Sequence, residues 1–355
     1  MIQTKPTLRW GILGTGWVSE KFVKDLILPR SDAVATHIVH AIGTSSVSKG
    51  EAFVNSTFND LEVHGKPRIY EDYKNVYDDE LVDVVYVGIP HALHKEACLA
   101  AIHAGKHILC EKPMCINEKD AQEVIAAARE KRVFLMEAVW TRFFPLVKDL
   151  QKLLYEEEVI GEVRRMFCDF SMDMKMETLD KHSRLKDPKL GAGALLDLGI
   201  YPLTLSNLFL DTGVGKESSN PEVSSHLKVV DGIDYADSII LKYPKTQRMA
   251  ILTASVEYQM SEEFCRIEGS NGNMVLSGPA ASKPTSVKIT SQGTERTILY
   301  EDPGMGFFYE ADAVALDIQA GRLENTTMPL AEMIRMLRTM DDIRRKAGVI
   351  YPQDL

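Results

Sequence analysis

Paired cysteines are missing from this chain. Its five cysteines, at 98, 110, 115, 168 and 265, are odd in number and never fall in a CxxC spacing. That pattern excludes a disulfide framework and a zinc ribbon, and fits reduced thiols inside folded domains. No metal is expected, because His37, His40, His103 and His107 also lack ligand spacing and read as packing or surface residues. The N-terminal Met1-Ile2-Gln3-Thr4-Lys5-Pro6 lacks the apolar run of a signal peptide, and no apolar stretch approaches bilayer-spanning length. A cytoplasmic chain with no membrane partner is the expectation. Positive charge is in deficit, 41 Lys and Arg against 51 Asp and Glu, for a formal charge of −10. This excludes nucleic acid as the main partner but leaves room for a locally basic pocket.

At 355 residues, the chain exceeds one ordinary core and predicts two domains, 1–138 and 139–355, with the last helix free to pack back on the first. The first third alternates strand and helix signals. Short apolar runs at 8–13, 36–42, 82–87, 107–110 and 133–136 read as buried strands. Between them lie helical patterns: Val18, Phe22 and Leu26; Leu93, Ala97, Ala100 and Ala104; and Ala121, Val124, Ile125 and Ala128 after a cap at Asn117. The fold class is therefore α/β, with an N-terminal Rossmann-type, doubly wound parallel sheet.

Beyond residue 138 the rhythm changes. A helix bearing Leu146, Val147, Leu150, Leu153 and Leu154 precedes a strand over 163–169. Short strands then follow at 223–230, 237–243, 248–256, 264–269, 273–277, 286–290 and 296–300, with a loop at 211–221. These predict a C-terminal α+β domain with a large, mostly antiparallel open-faced sheet of about six to eight strands. Two helices close the chain, one with Phe307, Ala311, Val314 and Ile318, the other with Leu330, Met333, Ile334 and Leu337. Met172, Met174 and Met176 alternate as strand packing or a pocket lining, and Glu156-Glu157-Glu158 reads as a solvated helix end.

The turn after the first strand is Gly14-Thr15-Gly16-Trp17-Val18-Ser19, opening onto a helix. Glycine there permits a sharp turn and lets backbone N–H groups approach a pyrophosphate, with Ser19 in the third small position. After the second strand come Gly43-Thr44-Ser45-Ser46-Val47-Ser48-Lys49, without the acid that would bind a ribose 2′-hydroxyl. Thr44, Ser45, Ser46 and Lys49 suit a 2′-phosphate, so NADP is the expected cofactor; a polar turn that contacts nothing is the alternative. Lys112, in Glu111-Lys112-Pro113, follows a strand at the edge where open α/β sheets bind ligands. In Gly193-Ala194-Leu195-Leu196-Asp197-Leu198-Gly199-Ile200-Tyr201, Asp197 and Tyr201 fall on one helical face. A lysine, a carboxylate and a phenol suffice chemically to oxidise an alcohol. A local cap and a packed tyrosine are the alternative. Arg184, in the polar approach to this helix, reads first as a surface residue, with substrate or a partner subunit as other contacts.

Several stretches together resemble the glucose–fructose oxidoreductase / inositol dehydrogenase / rhizopine catabolism (Gfo/Idh/MocA) family. They are Leu8-Arg9-Trp10-Gly11-Ile12-Leu13, Cys110-Glu111-Lys112-Pro113, 134–145 (from Phe134 to Pro145, through Trp140-Thr141-Arg142), 193–201 and Tyr309-Glu310-Ala311. The resemblance spans nearly the whole chain and is nearest to the branch of fungal NADP-dependent D-xylose dehydrogenases and dimeric dihydrodiol dehydrogenases. It implies that Lys112, Asp197 and Tyr201 are catalytic, with Tyr201 or Lys112 taking the proton. It places Ile89, Pro90, His94 and Glu111 at the cofactor, with Trp140 and Arg142 near the cofactor and pocket, and a homodimer formed through the sheet. Tyr201 stands where many family members carry histidine. Gly191-Ala192-Gly193 replaces a common triple glycine. Thr44 stands where the dihydrodiol branch has a basic residue, which leaves the mode of phosphate binding open.

The expected activity is NADP-dependent oxidation of an aldose, D-xylose first, at the anomeric carbon to the lactone. Dihydrodiol oxidation and NADPH-dependent reduction of a sugar carbonyl are the enzymatic alternatives. An NADP-sensing regulator of the same fold is the non-enzymatic one.

Overall fold

The structure is a computed structural model that describes residues 5–58, 65–211 and 213–355. By contact density it divides into two compact units. One comprises Met1–Cys115, Lys119–Trp140 and Asp302–Leu330; the other comprises Ile116–Glu118, Thr141–Glu301 and Ala331–Leu355. The unit that begins the chain thus also draws on a segment that follows the large sheet.

In the first unit, β1 (Thr7–Leu13), β2 (Thr36–Gly43), β3 (Arg68–Tyr70), β4 (Val84–Val87), β5 (His107–Glu111) and β6 (Leu135–Ala138) form one all-parallel sheet in the order β3-β2-β1-β4-β5-β6. The order reverses between β1 and β4, the switch point at whose carboxyl ends such sheets bind ligands. Helices α1 (Trp17–Leu26), α2 (Val47–Thr57), α3 (Tyr73–Asp78), α4 (His94–His103) and α5 (Glu118–Lys131) make the crossovers. β4 is buried throughout, as a strand covered on both faces must be. The sixth strand begins at Leu135, two residues later than the apolar run at 133–136 predicts; Phe134 donates its N–H to His107 Nδ1 and accepts from Ile108 N.

The stripe predicted for α4 is corrected. Leu93 and Ala100 face solvent, and the buried side is His94, Ala97, Cys98, Ala101 and Ile102. Alanines occupy both frames of this helix, so periodicity alone does not choose between them. Its core frame is set by Cys98, Ile102 and the His94 imidazole. α8 (Phe307–Gln319) also belongs to this unit, and its N-terminus is held by Asp25, whose carboxylate accepts from Met305, Gly306 and Phe307 N at 2.9, 2.7 and 2.8 Å.

The second unit is built on an eight-stranded sheet in the order β14-β13-β12-β11-β7-β10-β9-β8. Its strands are β7 (Val163–Ser171), β8 (Glu222–Val230), β9 (Ile233–Lys242), β10 (Met249–Ser255), β11 (Glu263–Gly269), β12 (Gly272–Ser277), β13 (Ser286–Ser291) and β14 (Thr294–Leu299). All neighbours are antiparallel except β7 and β10. Cys168 and Leu252 point to the covered face, where a π turn at Leu195–Gly199 and α7 (Ile200–Leu210) lie. On the opposite face Phe167 is stacked by Arg165 and Arg266, and Ile240 and Met249 stay exposed. α6 (Pro145–Tyr155) buries the five leucine and valine positions its pattern predicts.

Residues 188–210 correct the reading that no apolar stretch approaches spanning length. The stretch is long and apolar enough to cross a membrane, yet 94% of its most apolar 18-residue segment is buried, as in a core helix. All five cysteines are free and buried.

Candidate active site

In the first unit the Gly14-Thr15-Gly16 turn joins β1 directly to α1. Gly14 has φ +88°, and a Cβ there would stand 2.6 Å from the Gly88 carbonyl oxygen, so only glycine fits. Gly16 caps α1 with no side chain, and a Cβ on it would meet nothing within 4 Å. Open space above an uncapped helix start, with the first-turn amides lacking helical acceptors, fits a diphosphate. Trp17 is exposed and Val18 half-buried at the same end.

Beside this turn, Thr15 and Thr44 bring their hydroxyls to 3.4 Å, Thr44 being buried. Ser46 caps α2, accepting from Lys49 N at 3.3 Å, and Lys49 Nζ donates to Ser45 Oγ at 3.0 Å. An ammonium, hydroxyls and a helix start together fit a 2′-phosphate. Glu71, which sequence reasoning missed, accepts from Val47 N at 3.0 Å at this same helix start. No local pattern announces it, since it arrives from beyond β3.

At the ends of β4 and β5, Ile89 and Pro90 lead into a short 3₁₀ turn and α4. His94 is fully buried, its Nε2 2.7 Å from the Ile89 carbonyl oxygen and its Nδ1 2.9 Å from that of Pro113. Burial pushes this imidazole toward its neutral form. The ring sits between the two carbonyls, donating to one of them when neutral and to both when protonated, and so bridges the loop after β4 and the loop after β5. Glu111 is buried, accepting from Tyr86 Oη at 2.7 Å and from Lys112 N at 3.2 Å. Lys112 is half-buried, and its bond to Pro113 is cis. Trp140 is buried and stacked on Phe307, ring centres 4.3 Å apart. Glu310 is also buried here, with no hydrogen-bond partner for either carboxylate oxygen, and burial, then the Glu111 charge, holds its acid well above the usual range. A separate cavity of about 650 Å³, lined by Arg9, Asp83, Lys106 and His107 among others, lies at the amino edge of the sheet, away from the switch-point loops.

In the second unit Asp197 lies in the π turn and Tyr201 in the first turn of α7. Asp197 is mostly covered, and Arg184 Nη1 lies 3.5 Å from its Oδ2. Arg184 is more than half exposed, in keeping with a surface residue, and the structure adds a contact with Asp197 that the sequence did not suggest. Tyr201 is buried with its ring edge-on to Phe170, centres 5.5 Å apart. Arg142 is fully buried and directed at Glu332, Nη1 to Oε1 3.3 Å, which also receives Gly215 N. Its charge is answered within this unit. Among the described residues no group of three or more His, Cys, Asp and Glu is placed to hold a metal.

A sequence profile of an oxidoreductase family with an NAD-binding Rossmann fold, GFO/IDH/MocA, matches residues 8–139, and that of the GFO/IDH/MocA C-terminal domain matches 149–275. The chain belongs to this family. Among curated GFO/IDH/MocA proteins it is similar to a D-xylose 1-dehydrogenase (NADP(+)) of Hypocrea jecorina, 33% identical over 374 aligned residues, covering 98% of this chain and 94% of that protein. It is as similar to a trans-1,2-dihydrobenzene-1,2-diol dehydrogenase of Danio rerio, 33% identical, covering 98% and 99%. An aldose-aldose oxidoreductase from Caulobacter crescentus shares the fold, with a TM-score of 0.80 at 22% identity over 96% of this chain and 98% of that one.

Proposed function

We propose that this GFO/IDH/MocA chain is an NADP-dependent dehydrogenase that oxidises an aldose, D-xylose first, at the anomeric carbon to the lactone. The observation that carries the reading is the Asp197–Tyr201 face of a buried helix start, with Arg184 on the Asp197 carboxylate. A sensor that never turns over substrate has no use for Lys112, Asp197 and Tyr201 together.

The reading assigns the first-turn amides of α1, from Trp17 and Val18, to the diphosphate and Thr44, Ser45, Ser46 and Lys49 to the 2′-phosphate. Ile89, Pro90, His94, Glu111 and Trp140 shape the nicotinamide side, and Arg142 supports the chain that follows Trp140. When bound, NADP accepts the hydride that leaves C1 of the sugar. Tyr201 or Lys112 takes the proton of the anomeric hydroxyl, so the carbon–oxygen bond becomes the lactone carbonyl as the C1–H bond breaks. Asp197 orients the hydroxyls, with the Arg184 guanidinium beside its carboxylate.

Dihydrodiol oxidation is the second reading, favoured by the equal identity to the Danio rerio relative. The reading includes a homodimer through the open sheet face around Phe167, Ile240 and Met249, and a cytoplasmic location in keeping with five free thiols. The test is NADPH formation, followed by its near-ultraviolet absorbance, with NADP or NAD and D-xylose, other aldoses or a trans-dihydrodiol. Turnover of xylose with NADP supports it; tight NADP binding without turnover of any of them overturns it.

A further inference from the structure

We propose that Asp234 and Asp237 share one proton as a carboxylic acid–carboxylate pair that positions the helix start carrying Asp197 and Tyr201. Three positions apart on a regular strand, their side chains would face opposite sides of the sheet. The register between β8 and β9 shifts here, Lys228 pairing Ala236 and Val229 pairing Asp234, so Tyr235 is an extra residue. The bulge turns both acids to the covered face, where they are almost wholly buried.

Asp234 Oδ2 accepts from Leu195 N at 2.5 Å, and the Ala194 amide also favours its carboxylate. Gly193 has φ +138°, and any Cβ there would overlap Asp234 Oδ1. Asp234 therefore grips the backbone of 193–195, two residues before Asp197. Its other oxygen and both oxygens of Asp237 have no donor if both groups are carboxylates. Three buried acceptors without a donor would be costly; one proton on Asp237, donated to Asp234, satisfies two of them and leaves only the neutral carbonyl oxygen of Asp237. Burial and the adjacent Asp234 charge hold the Asp237 acid well above its usual range, and burial lifts Asp234 to about 6. The remaining neighbour, Tyr351, is engaged elsewhere: its hydroxyl donates to Ala192 O at 2.6 Å, and Arg344 lies over its ring.

Both residues are positioning residues, and their catalytic consequence rests on the dehydrogenase reading above. The test uses the full-length enzyme at neutral pH. Asp237→Asn keeps a donor toward Asp234, whereas Asp237→Ala leaves Asp234 without one. The infrared carbonyl stretch of a protonated acid should be lost in Asp237→Asn, while the band of Glu310, removed separately by Glu310→Gln, persists. Asp237→Asn should keep kcat within about twofold, and Asp237→Ala should lower it tenfold or more at unchanged NADP affinity. No infrared difference on Asp237→Asn, or equal loss of kcat in both variants, overturns the proposal. Should no sugar or diol be turned over, the functional reading fails by itself. The infrared spectrum, and a melting temperature held by Asn and lowered by Ala, then still decide the proton-sharing pair.

Discussion

Ser19 Oγ donates to the Gly88 carbonyl oxygen at 3.3 Å, and this contact locks the first turn of α1 to the end of β4. The pair is closed on both sides. A Cβ on Gly88 would overlap Ser19 Oγ and stand 2.7 Å from Tyr86 Cε1. Ser19 thus takes the third small position of the nucleotide turn as a fitted hydroxyl. Gly88→Ala should destabilise the protein by about 1–3 kcal/mol, the usual range for overpacking. Adding Ser19→Gly should restore only part of it, since the Tyr86 ring remains. Urea unfolding of the single and double variants measures both effects.

If the start of α2 holds the 2′-phosphate as proposed, Lys49 and Glu71 should act on it in opposite directions. Lys49→Ala should raise KM for NADP about tenfold and leave KM for NAD unchanged, the loss of one charge-assisted contact to phosphate. Glu71→Gln should lower KM for NADP by about threefold, since a carboxylate no longer repels the 2′-phosphate at the Val47 amide. Initial rates with each cofactor decide; equal changes for NADP and NAD would remove both residues from the 2′ site.

Lys112→Met should reduce kcat by about 10²–10⁴-fold, the range for losing an acid–base group, with the Kd for NADP nearly unchanged. Fluorescence titration with NADP, beside the kinetics, separates the two. Unchanged turnover would take Lys112 out of the chemistry.

Arg184 is more than half exposed, so its ion pair with Asp197 is screened. Arg184→Ala should raise KM for the sugar by no more than about fivefold. A larger loss, confined to kcat, would mean that Arg184 touches the reacting atoms.

Glu310 should make stability fall as pH rises. Its pKa is raised by burial and by the Glu111 charge, so the folded state keeps a proton that the unfolded chain releases above pH about 4.5. The penalty grows by about 1.4 kcal/mol per pH unit until the folded group also ionises. Glu310→Gln should therefore raise the melting temperature more at pH 7 than at pH 5. An equal gain at both values would show that Glu310 is ionised in the folded protein.

Long-period patterns were the most legible in the sequence. Leucines at the spacing of α6 admit one buried face, and the glycine turn took its nucleotide reading from its place at the first turn of a βαβ run. The α4 frame was not legible, because alanine is indifferent to burial while His94 is buried for its two carbonyl contacts. The parallel β7–β10 pair was hidden as well, since strand signals carry no direction. Asp234 fell outside the strand predicted at 237–243, and no local signal announces the bulge at Tyr235 that turns it and Asp237 to one face. For Arg184, the polar sequence around it gave no hint of Asp197, a partner brought near only by folding. In each case the deciding contact is between residues distant in sequence or depends on an irregular backbone.

The cap that Asp25 places on α8 also has a consequence for biogenesis. The six parallel strands emerge from the ribosome with Asp25 lacking its amides and with Arg30 and His37 lacking Asp312, which they meet at 2.7 and 2.9 Å. At about 5–20 residues per second, the gap between residue 138 and residue 312 lasts roughly ten seconds or more. During that interval the nascent nucleotide-binding unit is incomplete, and its unfinished surface is the one a chaperone would meet first.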